Sequence, residues 1–582
     1  MGDIMRFNMR SLITVAAFCC VSLFHAFALQ GANLPSEGPV QKKIVAFGWE
    51  FGQVSTISNL LLYADAFDAT PLDGVGIMLS EIPCEDGLLL STRHIMHDRP
   101  WKYSEVSHLV PRLKELTAHR SMKECFIGSL RSPTNRIDWT DDAAWARIAN
   151  NLAVTARLAK EGGLRGLSID HEDYFRQEQY FRQSGEMPFD ELSALVRRRG
   201  RELFSGVFRE YPDVTLIAFW LLSQNANYFG TRDPAAAARS AGDLWPSLMN
   251  GIFDVMPPGA KFIDGDERSY RYEAATHDFI RAAHQQRDGA IPLVAPENRV
   301  KFLAQMRPGC SIFLDMYVNP TNSIWYRGPV DGSRLNHLER NLHEALSAAG
   351  EYVWFWGQAH TWMPYWERGI RLRGHIQKTT WEECLPGLNE TIRSLRDPEG
   401  WGMARLEALK AADAKPINPN PECADLRKGK IPPPYSTWQD TLKRRTNGVF
   451  RLDTSFGEGD SCSLCAVGVP YGSFVFPVRG LKTGEWLAVE LSANGDIVTA
   501  NVGWQKKGKW CKGLPGTPIP LDGDFNGWKR GLAFVRVPDG ADGFGMTMGV
   551  RQKEGEKSWF DNIRIYKIKE TDSVKTEKEN EK

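Results

Sequence analysis

The stretch Gly163–Tyr174, "GLRGLSIDHEDY", is an apolar run that ends in three acids within four residues, Asp170, Glu172 and Asp173. Side chains of a β-strand alternate between two faces. Leu167 and Ile169 then share one face, while Ser168, Asp170 and Glu172 share the other. Carboxylates are costly to bury unless they are paired or used. A strand with one apolar face, and another that begins small and ends acidic, fits a barrel stave. Its apolar face meets outer helices, and its other face looks into a lumen that opens at the C-terminal ends of the strands. The structural alternative for these acids is an ion-pair network with arginines such as Arg131.

Working outward, seven further strand-like runs flank this one. They are "KKIVAFGWE" from Lys42, "GVGIMLSE" from Gly74, "ECFIGSLRS" from Glu124, "VTLIAFWLLS" from Val214, "AKFIDGDE" from Ala260, "CSIFLDMYV" from Cys310 and "YVWFWGQAH" from Tyr352. Amphipathic segments such as "DDAAWARIANNLAVTARLAKEG" and "DELSALVRRRGRELFSGVFREY" separate them, with apolar residues at three- and four-residue spacing. Eight strands alternating with helices predict an α/β chain built on a (β/α)8 TIM barrel over residues 40–412. No glycine-rich phosphate loop follows the first strand, which argues against a doubly wound sheet.

Residues 413–438, around "KPINPNPECADLRKGKIPPPYS", are rich in Pro and charge and read as a linker. Beyond them, short runs such as "GSFVFPV", "EWLAVELSA" and "GLAFVRVP" alternate with Gly, Asp and Pro turns. An all-β sandwich is expected over 439–568, and a charged, disordered tail over 569–582. A sandwich joined by a linker is expected to be dispensable for chemistry in the barrel.

Lys+Arg and Asp+Glu both number 71, so no net basic charge points to a nucleic-acid partner. Residues 1–28 read as a secretory signal: Arg6 and Arg10, the apolar run "LITVAAFCCVSLFHAFA", and an Ala26-Phe27-Ala28 cleavage site. The mature chain is expected to begin near Leu29, secreted or periplasmic, without a stable membrane anchor. Eight cysteines remain after cleavage, and Cys462-x-x-Cys465 lacks the second pair that a structural zinc site needs. A local disulfide or free thiols are expected there. No EF-hand loop or H-E-x-x-H motif is present, and no cofactor is expected.

The strand-four motif resembles the signature of family 18 chitinases, D-G-apolar-D-apolar-D-x-E. Gly166, Leu167, Ile169, Asp170 and Glu172 match it, while Arg165 and Ser168 stand where that family has its first two acids. The resemblance implies that Glu172 is a proton donor and that Asp170 assists. The ending "KSWFDNIRIYKI", Lys557–Ile568, resembles the last strand of jelly-roll carbohydrate-binding modules. The whole chain resembles secreted bacterial barrel glycoside hydrolases with an appended carbohydrate-binding domain. The implied partner is a poly- or oligosaccharide.

Glycosidic cleavage uses two carboxyl groups. Acids at other strand ends supply the partner of Glu172: Glu267, after "FIDGD", or Asp315, in "FLDMY". Glu50 in "FGWE" and Asp264 are further acids for the rim, and Trp49, Tyr174, Tyr317, Trp356, His360 and Trp362 are candidates for lining a sugar cleft. A glycan-binding protein on a degenerate barrel is the alternative.

Overall fold

The computed structural model describes residues 41–418, 431–440 and 448–569, apart from Val54, Glu81, Glu85, Asp86, Leu88, Asp98 and Pro432. The expected signal segment, the tail beyond residue 569, much of the linker and Cys423 lie outside the described residues. Among the described residues, no helix is long and apolar enough to cross a membrane. Among the described residues, no two cysteines are joined by a disulfide.

Nine parallel strands form the first sheet: β1 (Lys43–Gly48), β2 (Gly74–Ile77), β3 (Phe126–Arg131), β4 (Gly166–Asp170), β5 (Thr215–Ala218), β6 (Lys261–Asp264), β7 (Met306–Pro308), β8 (Cys310–Phe313) and β9 (Tyr352–Gly357). Their order is β8-β9-β1-β2-β3-β4-β5-β6-β7. The two edge strands, β7 and β8, are consecutive in the chain and separated only by Gly309. The sheet therefore curls into a nearly closed barrel whose ends meet within one short stretch. The sequence reading expects eight strands, with the seventh starting at Cys310. The structure adds Met306–Pro308, which pairs with β6 while β8 pairs with β9. Pro308 hides this strand from sequence patterning. Gly309 makes the division possible: a Cβ there would lie 2.9 Å from the Asp264 carbonyl oxygen.

Helices cover the outside. The first long one, α1 (Asp142–Glu161), is capped by the Asp141 side chain and buries Trp145, Ile148, Leu152, Ala156 and Ala159. Its neighbour α2 (Phe189–Glu210) buries Leu192, Val196, Leu203, Phe204 and Val207. Both burial patterns follow the helical period. Leu167 and Ile169 are fully buried, and Ser168 and Asp170 line a cleft at the mouth of the barrel, as the alternation predicts.

The two ends of the barrel differ in chemistry. At the N-terminal ends of the strands, Lys43 pairs with Glu124 and Glu351, Arg165 pairs with Glu124, and Lys261 pairs with Glu351. The residue that departs from the chitinase-like motif at 165 is thus part of a structural belt. Above this belt an aromatic plug fills the lumen. Phe219 stacks on Trp354 at 4.4 Å, and Phe47 meets both rings edge-on. Gly76 leaves the space that the Phe47 ring takes up, since a Cβ would come within 2.2 Å of it.

The second part is a sandwich of two antiparallel sheets around one core. Strand Gly472–Arg479 alternates strictly, burying Phe474, Phe476 and Val478. Phe560, Ile563 and Ile565 of the last strand, Lys557–Lys569, enter the same core from the other sheet. The first sandwich strand, Ser436–Gln439, falls inside the stretch that composition assigns to the linker.

The barrel and the sandwich form one compact unit. Trp401 and Leu406 of α3 (Pro398–Ala411) pack against Trp486, Ala488, Tyr566 and Ile568 of the sandwich. Arg536–Glu339 and Arg340–Asp539 ion pairs cross the contact at 3.0 and 3.1 Å, and Asn418 hydrogen-bonds the backbone of Ile563 and Ile565. Cutting the chain at residue 440 would uncover this apolar seam. The truncated barrel is expected to melt several degrees below the full chain and to bind a hydrophobic dye, as read by calorimetry and fluorescence. An unchanged melting temperature would mean that the seam contributes no stability.

Candidate functional site

A cleft of about 870 Å³ opens at the C-terminal ends of the barrel strands. Ser168, Asp170 and Glu172 reach it from β4, and Glu267 reaches it from the turn after β6. Strand parity does not extend to Glu267, which begins a 3-10 turn. Its position is fixed by the backbone instead. Asp266 adopts a left-handed conformation (φ 42°), and the Glu267 N–H donates to the Phe219 carbonyl at 3.0 Å. The buried Asp266 carboxylate accepts from Tyr272 Oη and Gln286 Nε2, each at 3.0 Å, which locks the turn.

The three cleft acids are electrostatically coupled. Asp170 accepts from Arg131 Nη1 at 3.0 Å, yet its burial raises its pKa. The enclosing cleft and then the Asp170 charge raise Glu172, against a hydrogen bond from Tyr174. Glu267 is pushed up to about 9, by burial first and then by the charges of Glu172 and Asp170, with the Trp220 side chain acting the other way. At neutral pH Glu267 therefore keeps its proton. A carboxyl group held neutral among coupled acids is the arrangement that general-acid chemistry needs.

The other strand-end acids named from sequence do not line the cleft. Each fastens a loop. Asp264 accepts the N–H groups of Leu221, Leu222 and Ser223 and so positions the loop that carries Trp220. Asp315 accepts from the N–H of Gln358 at 2.8 Å and of Ala359 at 2.9 Å. Glu50 accepts from the Trp362 N–H at 2.8 Å. β8 ends at Phe313 and β1 at Gly48, so Asp315 and Glu50 both sit in short helical turns beyond their strands, where alternation no longer sets the direction of the side chain. Tyr317 accepts a hydrogen bond from Asn341, and His360 pairs with Thr379. These two and Trp362 lie off the cleft, whereas Trp49, Tyr174 and Trp356 line it.

Sequence reasoning missed Trp220, Trp325, Arg93, Arg268 and Arg271, all of which line the cleft. Trp220 lies beyond the last residue of β5 and shares parity with the outward-facing Ala218, so alternation gave no sign of it. Trp325 lies in an irregular loop with no pattern to find. Three buried polar atoms of cleft residues, Arg131 Nε, Trp220 Nε1 and Tyr270 Oη, have no hydrogen-bond partner. Orphaned groups of this kind are rare in folded proteins, and in a cleft they are available to a ligand.

A second groove, of about 900 Å³, lies on the sandwich sheet that contains Ser436–Gln439 and Gly472–Arg479. Trp438, Tyr471 and Trp510 line it and are 52%, 46% and 51% exposed. Large exposed aromatics gathered on one face mark a binding surface.

No protein-family model matches this chain, and no curated protein matches it in sequence. Among solved structures, the chain is similar to the enzymatically active domain of tailspike protein 4 of bacteriophage CBA120, with 14% identity over 22% of this chain and 18% of that one, TM-score 0.18. It is also similar to the carbohydrate-binding module TmCBM61 in complex with β-1,4-galactotriose, with 13% identity over 26% and 99%, TM-score 0.20. A third is the CBM22-1–GH10 portion of Clostridium thermocellum xylanase 10B complexed with xylohexaose, with 9% identity over 23% and 26%, TM-score 0.18.

Burial raises the Glu50 pKa to about 8. The folded state thus binds a proton that the unfolded chain, titrating near 4.5, has released. The stability this group contributes is present below about pH 4.5 and is lost as pH rises through 8. Glu50→Gln is expected to match wild type at pH 4.5 and to melt a few degrees higher at pH 8, measured by calorimetry at both pH values.

Proposed function

We propose that this protein is an exported glycoside hydrolase that cleaves poly- or oligosaccharides at the mouth of the barrel, with the sandwich groove holding the polymer. The observation that carries this reading is the coupled set of Glu267, Glu172 and Asp170, with Glu267 held neutral by burial and by its two acidic neighbours, in a cleft lined with tryptophans and orphaned donors. Aromatic faces suit the apolar faces of sugar rings, and the polar groups between them hold hydroxyls.

The protonation pattern assigns the roles. Glu267, held neutral, donates a proton to the leaving glycosidic oxygen. Glu172, the more exposed of the two, is the nucleophile or general base. This reverses the role that the chitinase-like motif implies for Glu172. Asp170 accepts the Glu172 N–H and so orients that residue, and Arg131 holds Asp170 in place.

Two substitutions test the assignment. Glu267→Gln should cut turnover of natural glycosides by about 10²–10⁴ and spare aryl glycosides whose leaving group needs no proton. Glu172→Gln should abolish both. Equal losses on both substrate types in the two variants would contradict the roles, and full activity in both would remove this site. A protein that retains polysaccharide but never releases reducing ends is a binder instead.

The pH dependence follows the same logic. The acid must be protonated, so kcat/KM should fall as pH rises through about 9, where Glu267 ionises. It should also fall in acid, as Glu172 gains a proton at a pH above its ordinary 4.5. A pH–rate profile on a natural substrate checks both limbs.

A further inference from the structure

The two grooves share a feature that neutral-sugar recognition does not require. The sandwich groove is lined by Arg479 and Arg551 and by no Asp or Glu. Neither guanidinium pairs with a carboxylate among the described residues. Arg551 lies 5.7 Å from the centroid of the Tyr471 ring, and Arg479 borders the turn at Gly508. The barrel cleft is lined by Arg93, Arg131, Arg268 and Arg271 against the carboxyl groups of Asp170, Glu172 and Glu267, of which Glu267 keeps its proton. Arg131 and Arg268 are tied to Asp170 and Asp266. Arg93 and Arg271 pair with no carboxylate: Arg93 donates only to the Gly52 carbonyl, and Arg271 lies over the Trp325 ring at 4.2 Å.

This excess is local. The chain as a whole balances 71 basic against 71 acidic residues. A third depression, near Phe456 and Trp528, is lined by Glu458, Asp460, Glu490 and Asp524, and its Arg530 and Lys410 are paired with Glu458 and Glu490. Among the described residues, the two aromatic grooves hold arginines that pair with no carboxylate. Arg93 also sits in unfavourable company: partial enclosure in the cleft, then the like charges of Arg131 and Arg373, pull its pKa below the ordinary arginine value. An arginine set beside like charge is stabilised by an anion that reaches it.

We propose that the glycan this protein takes is anionic, carrying carboxylate or sulfate groups that Arg93 and Arg271 meet in the barrel cleft and Arg479 and Arg551 meet on the sandwich. This rests on the hydrolase reading above and names its substrate class. Guanidinium groups bind both anions through paired N–H donors, and stacking on a ring leaves those donors free at the edge. The acids of the cleft argue against a nucleic acid. A phosphodiester carries its charge on the bond to be cleaved, where Glu172 and Asp170 would repel it. A uronic acid or a sulfated sugar carries its charge away from the glycosidic oxygen.

The test uses the full chain in affinity electrophoresis and calorimetry. The probes are polygalacturonate and its carboxyl-reduced form, a sulfated galactan and its desulfated form, and a single-stranded DNA oligonucleotide. Binding to one anionic polymer is expected, with loss of about ten-fold or more in affinity when its charge is removed and a comparable loss in high salt. Loss on carboxyl reduction assigns a uronate, and loss on desulfation assigns a sulfate ester. Arg479→Ala with Arg551→Ala should weaken retention of the polymer, and Arg93→Ala should raise KM; all three side chains are exposed, so the fold is kept, as circular dichroism checks. Equal or tighter binding of the neutral forms, unchanged affinity and KM in the arginine variants, or binding of the oligonucleotide alone would overturn the proposal. Release of reducing ends from a neutral polymer with no binding of an anionic one sinks this inference and leaves the hydrolase reading intact. Retention of an anionic polymer without cleavage does the reverse.

Discussion

The mouth of the barrel is organised by the cost of taking carboxylates out of water. Of the acids that cluster at the strand ends, most take a backbone donor, a cation or a route to solvent. Glu50, Asp264 and Asp315 accept backbone N–H groups from neighbouring loops, so each turns its burial into a fastening. Asp170 takes an arginine. Glu172 reaches the open side of the cleft. Glu267 has neither a backbone donor nor a cation, and it faces two carboxylates, so it keeps its proton. The loops those acids fasten carry Trp220 and Gln358, so the same bonds shape the cleft walls.

The barrel was legible because its strands are buried on both sides and its helices on one. Hydrophobic run length and the three-to-four spacing therefore both survive in the sequence. The alternation in "GLSID" placed Ser168 and Asp170 in the lumen, since parity holds as long as the strand does. It failed for Glu50 and Asp315, each of which lies beyond the last residue of its strand, where a helical turn changes the direction of the side chain. Glu267 lies equally far out, and only the left-handed Asp266 and the bond from the Glu267 N–H to the Phe219 carbonyl aim it inward. Backbone geometry of that kind leaves little trace in composition. The divided strand at Gly309 was hidden for a related reason: Pro308 ends one hydrogen-bonded segment where the chain crosses from β6 to β9.

Composition misled more at the linker. Pro and charge read as a spacer between independent parts, but the segments on either side of that stretch are packed together. Asn418 bonds to the final strand from within that stretch, and Ser436–Gln439 joins the sandwich sheet at its end. Trp401 and Trp486 then meet at 5.5 Å. A linker that joins two docked parts needs no flexibility, only length.

That docking bears on how the two grooves act on one chain. A module on a flexible tether raises local concentration but leaves orientation free, so its benefit depends on tether length. Here Glu339–Arg536 and the seam around Trp401 hold the sandwich to the barrel directly. A polymer held in the sandwich groove is then presented to the barrel from a fixed direction rather than anywhere within a tether's reach. Both grooves combine aromatic rings with arginines that no internal acid neutralises, so both suit the same repeating chemistry. Two weak, like-patterned sites in one unit discriminate by pattern: a ligand with a single charge meets one of them, and a polymer with charges along its length can engage both.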